Sequence, residues 1–204
     1  MKLFIIYFYL LFIFIYKNKM DDQIYNDLKY NYIYHLNLSN KNITNIDKLC
    51  KYLYFNTSLE ELNLCGNNIK NIDKLAECLK FNTSLKILHL QCNKIENIDI
   101  LIESLKYNSS LKELYLGKNE ISNINLISLF NLSSLNILDL NGNKITYINK
   151  TNYINDLKLI YTTSLKCLYL QNNIIDVFDF INYFDYQKVL NNVYYIGYLS
   201  LILL

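Results

Sequence analysis

Leu59-Glu60-Glu61-Leu62-Asn63-Leu64-Cys65-Gly66-Asn67-Asn68-Ile69 is the stretch from which the rest of the chain is read. Its first, fourth, sixth, ninth and eleventh residues return as Leu85, Leu88, Leu90, Asn93 and Ile95. They return again as Leu111, Leu114, Leu116, Asn119 and Ile121, then as Leu135, Leu138, Leu140, Asn143 and Ile145. A later copy is Leu165, Leu168, Leu170, Asn173 and Ile175; an earlier one, Ile33, Leu36, Leu38, Lys41 and Ile43, has lysine in the asparagine slot. Successive copies begin 26, 26, 26, 24 and 30 residues apart. Self-similarity at such a period marks a stacked architecture, in which each unit buries its apolar face only against its neighbours.

The spacing within one copy has a direct physical reading. Apolar residues in the fourth and sixth slots alternate with polar ones, which predicts a short strand with one buried face. Neighbouring strands pair in parallel and their leucines merge into one core. Where the strand ends the chain turns while its backbone is already buried, and an asparagine there both donates and accepts hydrogen bonds. Asn67, Asn93, Asn119, Asn143 and Asn173 are therefore expected to form a ladder of side chains that satisfies this backbone. Lys41 cannot accept, so the ladder is expected to fray at the first copy.

Between the strands lies a second pattern. In Ile72-Asp-Lys-Leu75-Ala-Glu-Cys-Leu79-Lys-Phe-Asn82-Thr-Ser84, Leu75 and Leu79 stand four apart on one helical face. The same tail reads Leu53-Tyr-Phe-Asn56-Thr-Ser58 one unit earlier and Leu105-Lys-Tyr-Asn108-Ser-Ser110 one unit later. Together the two patterns resemble leucine-rich repeats, with the motif L-x-x-L-x-L-x-x-N-x-L carried over residues 33–178. The helix-bearing units are similar to the ribonuclease-inhibitor class, though slightly shorter. The 24-residue unit Leu111–Ser134 looks more like a shorter class with a less regular convex side. The resemblance implies an α/β solenoid arc, with short parallel strands on the concave face and helices or irregular turns on the convex face.

Composition narrows the function classes. Hydrophobic residues make up 52% of the 204 and charged residues 19%, which argues against disorder. The net charge of +2 is spread along the chain, so nucleic acid is not an expected partner. All 20 basic residues are lysine, and the missing arginine removes bidentate phosphate clamps and arginine-finger catalysis. Cys50, Cys65, Cys78, Cys92 and Cys167 form no CxxC pair and leave one over, which points to reduced thiols and a cytoplasmic location.

The ends are read separately. Residues 20–32 form the helix half of a preceding unit, because Leu28-Lys-Tyr-Asn31 matches Leu79-Lys-Phe-Asn82, and they are expected to cap the array. Residues 1–19 carry an unbroken apolar run from Leu3 to Tyr16, too short for an ordinary membrane-spanning helix of about 20 residues. Three readings stay open: a secretory signal or anchor, an extension upstream of a start at Met20, or a hydrophobic cap. Membrane contact is expected only through this segment, and a secreted or anchored protein is the alternative to the cytoplasmic reading. Seven Asn-x-Ser/Thr sequons, at Asn37, Asn42, Asn56, Asn82, Asn108, Asn131 and Asn149, do not decide between them in so asparagine-rich a chain. Residues 179–204 read as a degenerate seventh repeat, with Val193, Ile196 and Tyr198 in strand slots and an apolar end.

The resemblance implies that strand residues between the core leucines line the concave surface. Asn37, Asn63, His89, Tyr115, Asp139 and Tyr169 form its middle row. His35, Glu61, Ile87, Glu113, Ile137 and Cys167 flank it on one side, and Ser39, Cys65, Gln91, Gly117, Asn141 and Gln171 on the other. A protein partner is expected there, held by His35, Asn37, Glu61, Asn63, His89, Glu113, Tyr115, Asp139 and Tyr169, with the two tyrosines as aromatic anchors. Tyr115 is read as exposed, so its truncation should hardly affect stability. No metal or cofactor is expected: the two histidines belong to strands that are not neighbours, and two thiols at Cys65 and Cys92 fall short of a zinc site. The chain has no glycine-rich phosphate loop, no GxSxG and no HExxH, so a scaffold is favoured over an enzyme. A GTPase activator of similar fold is the weakest alternative, since the surface lacks arginine.

Overall fold

Each repeat opens with three extended residues, of which only the middle one is buried. The computed structural model describes residues 22–125, 128–129, 132–148 and 164–174. The strands are β1 (His35–Asn37), β2 (Glu61–Asn63), β3 (Ile87–His89), β4 (Glu113–Tyr115), β5 (Asn123–Ile124), β6 (Ile137–Asp139), β7 (Tyr147–Ile148) and β8 (Cys167–Tyr169). A parallel six-stranded sheet runs β1-β2-β3-β4-β6-β8, and β5 pairs with β7 in a second, two-stranded sheet. The register sets Leu36, Leu62, Leu88, Leu114, Leu138 and Leu168 side by side in one buried row. Every unit contributes the same slots, so a single core continues from Leu28 to Leu170.

Helices return the chain. Residues 22–29 are helical (α1). α2 (Asp47–Leu53), α3 (Asp73–Leu79) and α4 (Asp99–Leu105) each have seven residues. Their starts are set by side chains one residue upstream of the cap: Asn45, Asn71 and Asn97 Oδ1 accept the backbone N–H of Asp47, Asp73 and Asp99 at 2.8, 2.9 and 2.7 Å. The aspartates then lie in the first turn, where negative charge is favoured. One face of each helix is buried, as with Leu75, Ala76, Cys78 and Leu79 of α3. In the 24-residue unit the convex path begins instead with β5, and residues 128–129 beyond it are helical.

Asn67 Oδ1 accepts the N–H of Lys41 and of Ile43, at 3.0 and 2.9 Å, while its Nδ2 donates to the carbonyls of Leu38 and Leu64. Asn93, Asn119, Asn143 and Asn173 repeat the pattern, each accepting from the preceding unit at Ile69, Ile95, Ile121 and Ile145. Each also donates back to that unit, at Leu64, Leu90, Leu116 and Leu140. The expected fraying at Lys41 does not occur. The bonds reach backwards, so Asn67 closes the first unit and Lys41 need only offer its backbone N–H.

A second ladder, not foreseen as one, runs along the edge where helices end. Asn56, Asn82 and Asn108 are 3%, 3% and 2% exposed. Their Oδ1 atoms accept from the N–H groups of Ser58 and Leu59, Ser84 and Leu85, and Ser110 and Leu111. Their Nδ2 atoms donate to carbonyls one unit back, at Leu28, Leu53 and Leu79. Three residues past the end of each strand of the six-stranded sheet, Asn40, Gly66, Cys92, Lys118, Gly142 and Asn172 all adopt positive φ, between 55° and 68°. The reversal out of the strand requires this geometry whatever residue occupies the slot. Asparagine and glycine adopt it at least cost.

Among the described residues no helix is long and apolar enough to cross a membrane. The segment 1–19, the degenerate seventh repeat in 179–204, and the sequons at Asn131 and Asn149 lie outside the described residues.

Candidate functional site

Alternation places the first and third residues of each concave strand on the open face, with Glu61 and Asn63, for instance, flanking the buried Leu62. Register fixes the neighbours: His35 lies opposite Glu61 and Ile87, and Asn63 opposite His89 and Tyr115 in succession. Asp139 stands between Tyr115 and Tyr169. All nine expected site residues thus share one surface.

Their side chains are tied together more closely than adjacency alone requires. Glu61 reaches two histidines at once, with His35 Nδ1 at 3.2 Å from one carboxylate oxygen and His89 Nε2 at 3.3 Å from the other. The His89 ring stacks on Tyr115 with centroids 4.8 Å apart and planes within 10°. Tyr115 donates its hydroxyl to Glu113 Oε2 at 2.7 Å. Burial pushes the Tyr115 phenol well above its ordinary value, and the Glu113 carboxylate that accepts its proton adds to the effect. The expectation of an exposed Tyr115 is thereby corrected. It is half-buried, because the register sets the His89 ring on the adjacent strand, stacked 4.8 Å away.

The remaining positions are pinned to their own turns. Asn37 and Asn63 accept from the N–H of Ser39 and Cys65, at 3.0 and 2.9 Å. Asp139 accepts from the Asn141 N–H at 2.9 Å and from its side-chain amide at 2.7 Å. At Gly117 an added Cβ would lie 3.2 Å from Asp139 Oδ2 and 3.3 Å from the Asn141 carbonyl, so the floor there has little room for a side chain. Gln91 Nε2 lies 3.5 Å from His89 Nδ1, and the Gln91 side-chain Oε1 is buried without a partner.

Three outward slots on six strands make eighteen positions, and these hold Glu61, Glu113 and Asp139 but none of the 20 lysines. The floor therefore carries negative charge, two histidines and stacked aromatic surface. Among the described residues no group of three or more histidine, cysteine or acidic side chains could hold a metal ion. The described cysteines are free: Cys50 and Cys78 are buried, Cys92 is exposed, and Cys65 and Cys167 lie between. Burial, then the neighbouring Cys92, raises the Cys65 thiol, and hydrogen bonding to Cys50 raises that of Cys78, so neither is a ready nucleophile.

The repeat spacing identified which residues share this face but not the bridging carboxylate. The strands of His35 and His89 are not neighbours, as the spacing implies, and the strand between them supplies the link through Glu61. The signal was available in the register, since Glu61 is directly opposite His35 and diagonal to His89.

Comparison with known proteins places this geometry. Residues 83–145 match a family described as leucine rich repeat, and residues 57–103 match one described as leucine rich repeats in two copies. No curated protein matches the chain. Among solved structures, a leucine-rich-repeat protein of Leptospira interrogans is similar at a TM-score of 0.60 and 22% identity, over 82% of this chain and 38% of that one. An internalin of Listeria monocytogenes is similar at 0.50 and 27%, over 74% of this chain and 37% of that one. The leiomodin-1 actin-binding site 2 is similar at 0.50 and 18%, over 84% and 87% respectively. This chain spans little more than a third of the length of the first two. The fold is a leucine-rich-repeat solenoid.

Proposed function

We propose that the protein is a non-catalytic interaction module that grips a protein partner on its concave face. The observation that carries this reading is the ordered side-chain network across β1 to β4, in which His35, Glu61, His89, Tyr115 and Glu113 hold one another in place before any partner arrives. Fixing these rotamers in advance lowers the entropy lost on binding. Tyr115 and Tyr169 supply aromatic area on either side of Asp139, and tyrosine is among the residues enriched at binding hot spots. Similarity to repeat proteins such as the internalin supports a binding role without naming a partner. The three helix-bearing units support an assignment to the ribonuclease-inhibitor-like class, with β5 and β7 as a departure from it.

The test is affinity purification from native cells with the wild-type chain, a Tyr115→Ala/Tyr169→Ala variant and an opposite-face Lys74→Ala variant. A partner kept by the wild type and by Lys74→Ala but lost by the double variant is the expected result. Equal recovery by all three would move the binding site elsewhere.

A further inference from the structure

We propose that a second face, the edge of the solenoid where the helices end, docks on an anionic membrane surface. The argument begins with exposed rings. Of nine exposed large hydrophobic residues among those described, seven lie on this edge: Tyr30, Tyr32, Tyr34, Tyr54, Phe55, Phe81 and Tyr107. Phe55 is 78% exposed and Tyr107 69%. Phe55, Phe81 and Tyr107 fill one repeated slot, immediately before the buried Asn56, Asn82 and Asn108, so the second ladder holds them in line.

The rings form a strip with lysines set into it. Tyr54 touches both Phe55 and Phe81, with centroids 4.8 and 5.2 Å apart. Lys80 Nζ lies 5.7 Å from the Phe81 ring centre and 4.5 Å from that of Tyr107. At the other end of the strip, α1 and α2 enclose an open groove of about 570 Å³ lined by Lys29, Lys48, Lys51, Tyr52 and Phe55. No carboxylate lines this groove; Asp22, 3.6 Å from Lys48, is the nearest acid bonded to it. Among the described residues Lys29, Lys51 and Lys80 make no ion pair, whereas Lys74, Lys86, Lys106 and Lys144 each do.

Lysine near a helix C-terminus favours the helix dipole, which accounts for the cations. It does not account for a row of half- to three-quarters-exposed rings beside them. Aromatic side chains interleaved with lysine suit the membrane interface, where rings sit at headgroup level and each lysine is drawn to anionic lipid. Single-stranded nucleic acid uses similar residues, but it needs ring faces left open for bases. Here Tyr54 is packed edge-on to Phe55 and tilted against Phe81, and the chain has no arginine. Charge and ring packing therefore favour the lipid surface. Sequence alone assigned membrane contact only to residues 1–19, and this face adds a contact made by the folded repeats.

The chain contains no tryptophan, so Phe55→Trp in the full-length protein is a unique fluorescent reporter. Its emission should shift to the blue with phosphatidylcholine vesicles containing phosphatidylserine, and not with phosphatidylcholine alone. Adding Lys29→Glu and Lys51→Glu should weaken that binding by about tenfold or more, and raised salt should weaken it too. All three sites are exposed, and an unchanged thermal melt confirms that the fold survives. A shift indifferent to the two lysines and to salt would overturn the electrostatic basis of the proposal, and vesicle binding without a blue shift would assign the contact to residues 1–19 and overturn the proposal itself. So would an absence of binding, or a response to single-stranded RNA and not to vesicles.

Discussion

An asparagine such as Asn93 satisfies one N–H and two carbonyls that water cannot reach, at Ile69, Leu64 and Leu90. Each orphaned buried group costs about 1–3 kcal/mol, so Asn93→Ala should lower stability by about 3 kcal/mol or more in urea unfolding. Asn45→Ala removes only an exposed side-chain bond at the start of α2, one residue before its cap, and should cost about 1 kcal/mol. Gly66 cannot become alanine without penalty, because φ is +68° and a Cβ would run into Asn40 Oδ1. Tyr115 gives a pH signature. Its phenol is raised in the folded state, so as pH climbs past the ordinary tyrosine value of about 10 the unfolded chain ionises first. Stability should then fall through the alkaline range, more steeply for the wild type than for Tyr115→Phe in parallel melts. A Tyr115→Phe variant with the same alkaline slope would show that this hydroxyl is not held as described.

At the scale of strands and helices, Leu88→Ala in β3 should cost about 2–5 kcal/mol, since its side chain is 0% exposed at the centre of the sheet. Asn82→Asp replaces a donor with a charge facing the Leu53 and Asn56 carbonyls, and should cost at least as much as Asn93→Ala in the same assay. Strand positions and their inward leucines were legible in the sequence because a two-residue alternation repeated six times has one physical solution. The bonding role of Asn56, Asn82 and Asn108 was less legible. Their slot was noticed, but a side chain that bonds one unit back leaves no mark in the spacing of its own unit. The Glu61 bridge was hidden for a related reason: register fixes which Cα atoms are neighbours, while rotamers decide which side chains meet. The path from Leu111 to Ser134 was irregular in the sequence, and the structure gives that irregularity a form, the β5–β7 pair.

At the scale of the molecule, the principal contacts between elements among the described residues join adjacent units, so stability is distributed along the array and not concentrated in one place. Amides bonded to buried asparagines, at Ile69, Ile95 and Ile121, should exchange with solvent slowest. The amide of Ile43, in a less buried unit, should exchange sooner in a hydrogen-exchange experiment. Equal protection at all four would mean that the array opens as one block. Both ladders also share a direction: each of their asparagines bonds across to the unit before it. A unit's buried backbone is therefore satisfied only once its successor exists. On a ribosome, where the chain emerges from its N-terminus, each repeat waits for the next to clear the exit tunnel before it locks. Folding during synthesis then trails translation by one unit of about 26 residues, and a pause after any repeat leaves that repeat, and no other, open.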